Sequence, residues 1–158
     1  MTQRTAVLLL FSVFLAAGAL HAADEPSLLE PLQPGDVPPG CGCTFSVEAP
    51  NRAEAVFALD LASGEGLVRI EGALLRFMRI STTESRKSKT WDSVGDRITE
   101  IWASGETELT IKYRTTFVCP ENDTACTTTS YEGQLTVRHG SARQRLTVKG
   151  ICGCPGGA

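Results

Sequence analysis

The tripeptide Cys-Gly-Cys stands at 41–43 and again at 152–154, and no other feature constrains the fold of this chain as tightly. Residues two apart on an extended strand point to the same face, so each tripeptide presents two sulfurs side by side. In an antiparallel ladder the numbers of facing residues add to a constant. Cys41 with Cys154 and Cys43 with Cys152 satisfy the same constant, so one register aligns both pairs and clamps the first strand to the last. Crossed connectivity stays open, because spacing alone does not fix pairing.

The other two cysteines, Cys119 and Cys126, bracket the turn-rich segment 120–125, and a bridge between them closes a small loop. A regular hairpin through that bridge sets Tyr113 opposite Glu132 and Phe117 opposite Thr128. The apolar residues of the second strand, Tyr131, Leu135 and Val137, have the other parity. A one-residue bulge near the loop restores the match, and one is expected there.

All six cysteines follow an N-terminal stretch, 1–22, that reads as a secretory signal peptide. Arg4 precedes an apolar run over 6–20, and small residues lead to Asp24 and Glu25. Cleavage after Ala19 or after Ala22 fits, the second leaving the longer apolar core. The run falls short of the ~20 residues needed to span hydrocarbon, and no second hydrophobic segment follows, so the mature chain is expected to lack a transmembrane segment. The expected location is periplasmic or extracellular, where disulfides persist. Without Arg4 the chain has 14 basic against 18 acidic residues, a mild acidic balance that gives no reason to invoke nucleic acid.

Residues 23–40 carry Pro26, Pro31, Pro34, Pro38 and Pro39 and read as an extended or loosely ordered linker, either a spacer or simply a mobile N-terminus. From 41 to 158 the pattern is that of one β domain. Strands are expected at 44–49, 55–61, 67–71, 73–80, 97–103, 107–118, 127–138 and 143–151. In 107–118 the residues Leu109, Ile111, Tyr113 and Phe117 alternate with polar ones, the mark of a half-buried antiparallel strand. Gly72 suggests a bulge in one long bent strand, 81–95 reads as a polar loop, and Trp102 reads as core. Short strands, tight turns and no helical periodicity give an all-β fold, a single disulfide-stapled antiparallel β-sandwich or partly closed barrel of about seven to eight strands.

Chemistry is sparse. Four thiolates from the Cys-Gly-Cys pairs could hold Zn or Cu(I), although one-residue spacing departs from ordinary structural zinc sites. Thiol-disulfide exchange is a weaker reading, since no helix is available to lower a thiol pKa. The one histidine after the signal, His139, falls in a turn, which leaves no base for a serine triad. Asp60, Glu65 and Glu71 carry no spacing that marks a carboxylate pair, so no catalytic residue is nominated and no cofactor is expected. One segment concentrates positive charge: Arg76, Arg79, Arg86, Lys87 and Lys89, followed by Trp91. Such a segment can meet an anionic polymer, an envelope component or an acidic protein. The expectation is an exported, non-catalytic binding or structural module, with Cys-based metal binding as the alternative.

Overall fold

The structure is a computed structural model that describes residues 27–49, 52–88, 92–120, 123 and 125–154. The expected signal peptide lies outside the described residues. The chain forms an antiparallel barrel of eight strands, with one short strand added. In order these are β1 (Leu29–Glu30), β2 (Gly42–Glu48), β3 (Ala53–Asp60), β4 (Glu65–Ile70), β5 (Ala73–Ser85), β6 (Arg97–Ser104), β7 (Thr107–Phe117), β8 (Thr128–His139) and β9 (Ala142–Gly153). From β2 to β9 each strand pairs with the next, and β9 returns to β2, so the sheet closes on itself. The expected fold is thus realised as a closed barrel rather than a sandwich.

Closure follows from alternation. In β7 Leu109, Ile111 and Thr115 are buried while Glu108, Lys112 and Arg114 are exposed, and β8 and β9 continue the pattern. A sheet with one apolar face must cover it, and curling the sheet does so while removing both edges.

Two expectations about β4 and β5 are corrected. Glu71 and Gly72, at φ 50° and 77°, form the two-residue turn that joins these strands, and Ile70 faces Ala73 across it. Positive φ at both positions matches the twist of a hairpin, so Gly72 marks a reversal and not a bulge. Residues 81–85, expected as loop, continue β5, whose register shift instead falls between Arg79 and Ser81. The polar run Ser81, Thr82, Thr83 hides the strand, because this part pairs with β6 while all its residues are exposed.

The barrel interior is filled by rings. Phe45 packs against Phe57 and Tyr113 at centroid distances of 5.9 and 5.3 Å, and Phe57 meets Trp102 edge-on at 5.4 Å. Inward glycines make the room. A Cβ on Gly150 would sit 2.5 Å from the Phe45 ring, and one on Gly66 would sit 2.6 Å from Phe57.

Within the described part of the proline-rich stretch, 27–40, β1 pairs with β4, and Leu29 and Asp36 contact the barrel. β3 pairs with β4 only at Ala58 with Leu67 and Leu59 with Gly66. A register shift at Phe45/Ser46 accompanies the departure of β3 from β4, and β1 takes up the vacated edge at Arg69 and Ile70. Leu29 is 2% exposed, and its N–H donates to the Gln144 side chain of β9 at 2.9 Å. Further along, Asp36 accepts from Arg69 at 2.9 Å. The Gln33 N–H and the Arg69 guanidinium hold the Asp36 carboxyl below its ordinary range. A single buried leucine and one ion pair are enough to tether a segment whose prolines already limit its freedom.

Gly150→Val should lower stability by roughly 1–3 kcal/mol through overpacking against Phe45, as read by chemical denaturation; an unchanged midpoint would refute the close approach. Because Asp36 has a depressed folded pKa, its contribution is present above the ordinary carboxylate pKa of about 3.9 and lost as pH falls through the folded value. Hydrogen exchange over 27–40 should therefore accelerate in Asp36→Asn at neutral pH, and in the parent only under acid.

Candidate functional site

The six cysteines form three disulfides: Cys41–Cys154, Cys43–Cys152 and Cys119–Cys126. The first two join β2 to β9 in the register deduced from spacing, with Cys43 directly facing Cys152. Each has its Cα atoms 3.9 Å apart. The third closes the β7–β8 loop, and the one-residue shift expected near it lies between Thr115 and Phe117. Below that shift Tyr113 faces Gly133, Ile111 faces Leu135 and Leu109 faces Val137, so apolar residues meet on the inner face. With every sulfur bridged, neither Cys-Gly-Cys offers thiolates to a metal or to exchange. Among the described residues no group of three or more His, Cys, Asp or Glu is arranged to hold a metal ion.

The basic segment comes together differently from a free cationic patch. Arg76 pairs with Glu65. Arg79 reaches into the barrel to Glu100 at 2.9 Å and lies 5.4 Å from the Trp102 ring centroid. Glu100 is inward-facing and buried, so the half-exposed Arg79 meets its carboxylate at the edge of the ring side chains. Arg86 meets both Glu84 and Asp92, and its pKa is raised first by the hydrogen bond to Glu84. Lys87 donates its Nζ to the Val94 carbonyl and its backbone N–H to Asp96. Buried Asp96 also accepts from the Ser93 N–H, and these donors hold its carboxyl low. Carboxylates therefore neutralise Arg76, Arg79 and Arg86 locally. Lys89 and Trp91 lie outside the described residues.

Above the ring core, burial pushes the hydroxyl pKa of Tyr113 and Tyr131 up, with Glu100 adding to the effect on Tyr113. Both phenols therefore stay protonated near neutral pH. Asp60 caps its hairpin by accepting from Ala62 N–H and Ser63 Oγ, which lowers its pKa. Glu65 is occupied by Arg76. His139 is half-buried, with Nδ1 2.7 Å from Thr107 Oγ1. These residues have local structural partners and do not converge on one cleft.

The feature not anticipated from sequence lies on the outer face of β6–β9. Register aligns Arg97, Arg114, Glu132 and Lys149 in one row across four strands. Thr99, Lys112, Gln134 and Thr147 form the next row, and Glu108, Arg138 and Arg143 share a row near the far end. A groove of about 610 Å³ runs between the first two rows. Gly133 underlies it, where a Cβ would lie 2.1 Å from the Lys112 carbonyl oxygen, so β7 and β8 close tightly and the outer face dips. A second hollow of about 180 Å³ shares Lys112 and continues to Arg138 and Arg143. Each cation looks in sequence like the ordinary polar face of its own strand. Only the strand registers, which follow from the turn at Gly140 and the bulge after Thr115, put them side by side.

Compared with known proteins, the chain matches no family model, no curated protein and no solved structure.

The β2–β9 bridges enclose nearly the same chain, over sequence separations of 113 and 109 residues. Either alone removes most of the loop entropy, worth about 4–5 kcal/mol. Removing Cys41 and Cys154 together should thus cost far less than removing all four cysteines. Equilibrium denaturation of the two variants measures this, and additive losses would contradict it.

Proposed function

We propose that this protein is an exported, non-catalytic binding or structural module that works through the outer surface of its barrel. The observation that carries this reading is the occupied interior. Eight-stranded barrels that take a small ligand keep interior space for it, whereas here the inner rows hold Phe45, Phe57, Trp102, Leu109, Ile111 and Leu135 in mutual contact. The six cysteines are spent on covalent closure, and the polar residues considered for catalysis are engaged in turns and ion pairs. Export is supported by three disulfides, which persist in oxidising compartments, and by the signal-like composition of 1–22. No helix among the described residues is long and apolar enough to cross a membrane.

The partner class that suits this surface is anionic: an anionic polymer, an envelope component or an acidic protein. Of the two basic regions, Arg76, Arg79 and Arg86 of the 76–91 segment meet such a partner only by giving up ion pairs, whereas the described β6–β9 face carries cations that have none to give up.

Mass spectrometry of the exported, never-reduced protein, with free-thiol labelling, tests the reading. The expected result is a chain cleaved near Ala22, lighter by two hydrogens for each of three bridges, unlabelled and without metal. Four labelled cysteines with a metal lost on denaturation would overturn it in favour of metal handling.

A further inference from the structure

Among the described residues, most lysines and arginines have a carboxylate within ion-pair distance. Lys87 is bound instead to a carbonyl. The cations left over are Arg97, Lys112, Arg138, Arg143 and Arg145, and all five face outward on β6–β9. This segregation stands in a chain of net charge −3. Elsewhere on the described barrel Arg52, Arg69, Arg76, Arg79 and Arg86 each have a carboxylate partner. A cluster of like charges held without partners raises the energy of the free protein and is relieved when an anion binds.

We propose that the outer face of β6–β9 is a binding strip for a linear acidic polysaccharide, one whose carboxylate or sulfate groups are separated by hydroxyl-bearing sugar. This rests on the reading of the protein as an exported binding module and names its ligand class. Three observations select that class. Geometry comes first. From the row of Arg97 to the row of Ala103 the strip is about 20 Å long, and rows on one face repeat every ~6.6 Å. Its width over four strands is about 14 Å. These dimensions take an extended chain of a few sugars, with the 610 and 180 Å³ hollows, which both have Lys112 in their lining, along its path.

The second observation is what lies between the cations. Thr99, Thr110, Gln134, Thr136 and Thr147 face outward on the same strands and supply hydroxyl and amide groups. Such groups both donate to and accept from sugar hydroxyls, whereas the oxygens of a bare polyphosphate only accept and leave the Thr and Gln oxygens without a donor. The third is what the strip's own rows lack among the described residues: no tyrosine, tryptophan or phenylalanine faces outward between the Arg97 and Ala103 rows, and the exposed Phe117 and Ile151 lie on the next row, beyond Glu132 and Lys149. Single-stranded nucleic acid is held by aromatic stacking as well as charge, and a membrane-binding face adds apolar insertion to its cations. Neither lies within those rows. Glu108 and Glu132 interrupt the positive field at fixed places, which suits a ligand with spaced charges better than a continuous one.

Arg114 is tied to Glu132, and Lys149 to Glu48, so these two are borders of the strip rather than its free charges. The central contact is Lys112, the residue common to both hollows. A ligand anion there meets Arg97 toward one end and Arg138 with Arg143 toward the other.

The test is affinity electrophoresis of the full exported protein through gels holding polygalacturonate or heparin, with neutral dextran as control. Retardation by an acidic polysaccharide and none by dextran is expected, weakening as salt rises. Lys112→Gln/Arg143→Gln/Arg145→Gln should weaken binding about tenfold or more, since three modest charge contacts multiply. Lys112→Arg/Arg143→Lys/Arg145→Lys should retain most of it. A charge-matched control, Arg76→Gln/Arg86→Gln/Lys87→Gln, should leave it unchanged. All three variants alter exposed positions, and circular dichroism with a thermal melt establishes that each is folded.

Equal loss in the control variant would refute the strip and return the binding surface to 76–91. Binding to phosphatidylglycerol vesicles but to neither polysaccharide would refute the ligand class. If no anionic probe is held while export and three disulfides are found, the ligand assignment falls and the module reading survives. Reduced, metal-loaded cysteines would instead remove the module reading itself.

Discussion

Everything in this barrel depends on the pairing of β2 with β9. Without it the eight strands form an open meander with two free edges and an apolar face wide open to water. The hydrophobic contacts between Phe45 on β2 and the rings on β7 and β8 exist only once that seam is closed. Such contacts join residues far apart in sequence, so the loss of chain entropy precedes the gain from burial. Two disulfides at one end of the seam bring the strands together in the single register that places Phe45 over Gly150. A one-residue slip would drive Phe45 outward and Thr44 inward. The cysteines therefore specify the register of closure as well as stabilising it.

That seam also accounts for the division of labour between the two faces. Once the interior is closed and filled, most polar chemistry is left to the outside, and the buried Glu100 is met by Arg79. Glu100 occupies an inward position between Ile98 and Trp102, and a lone carboxylate there would be costly to bury. Arg79 reaches it from the bulged, exposed part of β5, with its guanidinium against the Trp102 ring. Removing Arg79 leaves the buried Glu100 carboxylate poorly solvated, whereas Arg79 is half exposed and keeps its water when Glu100 is removed. The ion pairs of the 76–91 segment thus serve the rim of the barrel, and the surface with spare charge is elsewhere.

Much of the fold was legible in the chain. The matched Cys-Gly-Cys spacing carried the closure register, and the parity conflict between Cys119/Cys126 and the Tyr131, Leu135, Val137 series located a bulge. Both arguments worked because antiparallel pairing obeys simple arithmetic. Two features escaped for identifiable reasons. β1 is two residues long and sits between prolines, and its stability comes from an edge of β4 exposed by the drift of β3, a tertiary event. The extension of β5 to Ser85 has no apolar alternation, because it rises past the core and owes its structure to pairing with β6.

Sequence by itself determined the class of this protein: an all-β chain with six cysteines and turn residues spaced for hairpins. Local periodicity and sulfur spacing suffice for that, since they depend only on neighbours along the chain. The tertiary structure alone decided which charges are satisfied and which are not. Arg76 and Arg86 stand out in the sequence yet find carboxylates, while Lys112, Arg143 and Arg145 look unremarkable and find none. The reason is physical. An ion pair is a matter of a few ångströms between strands, and those distances are set by bulges, turns and the closing seam rather than by position in the chain.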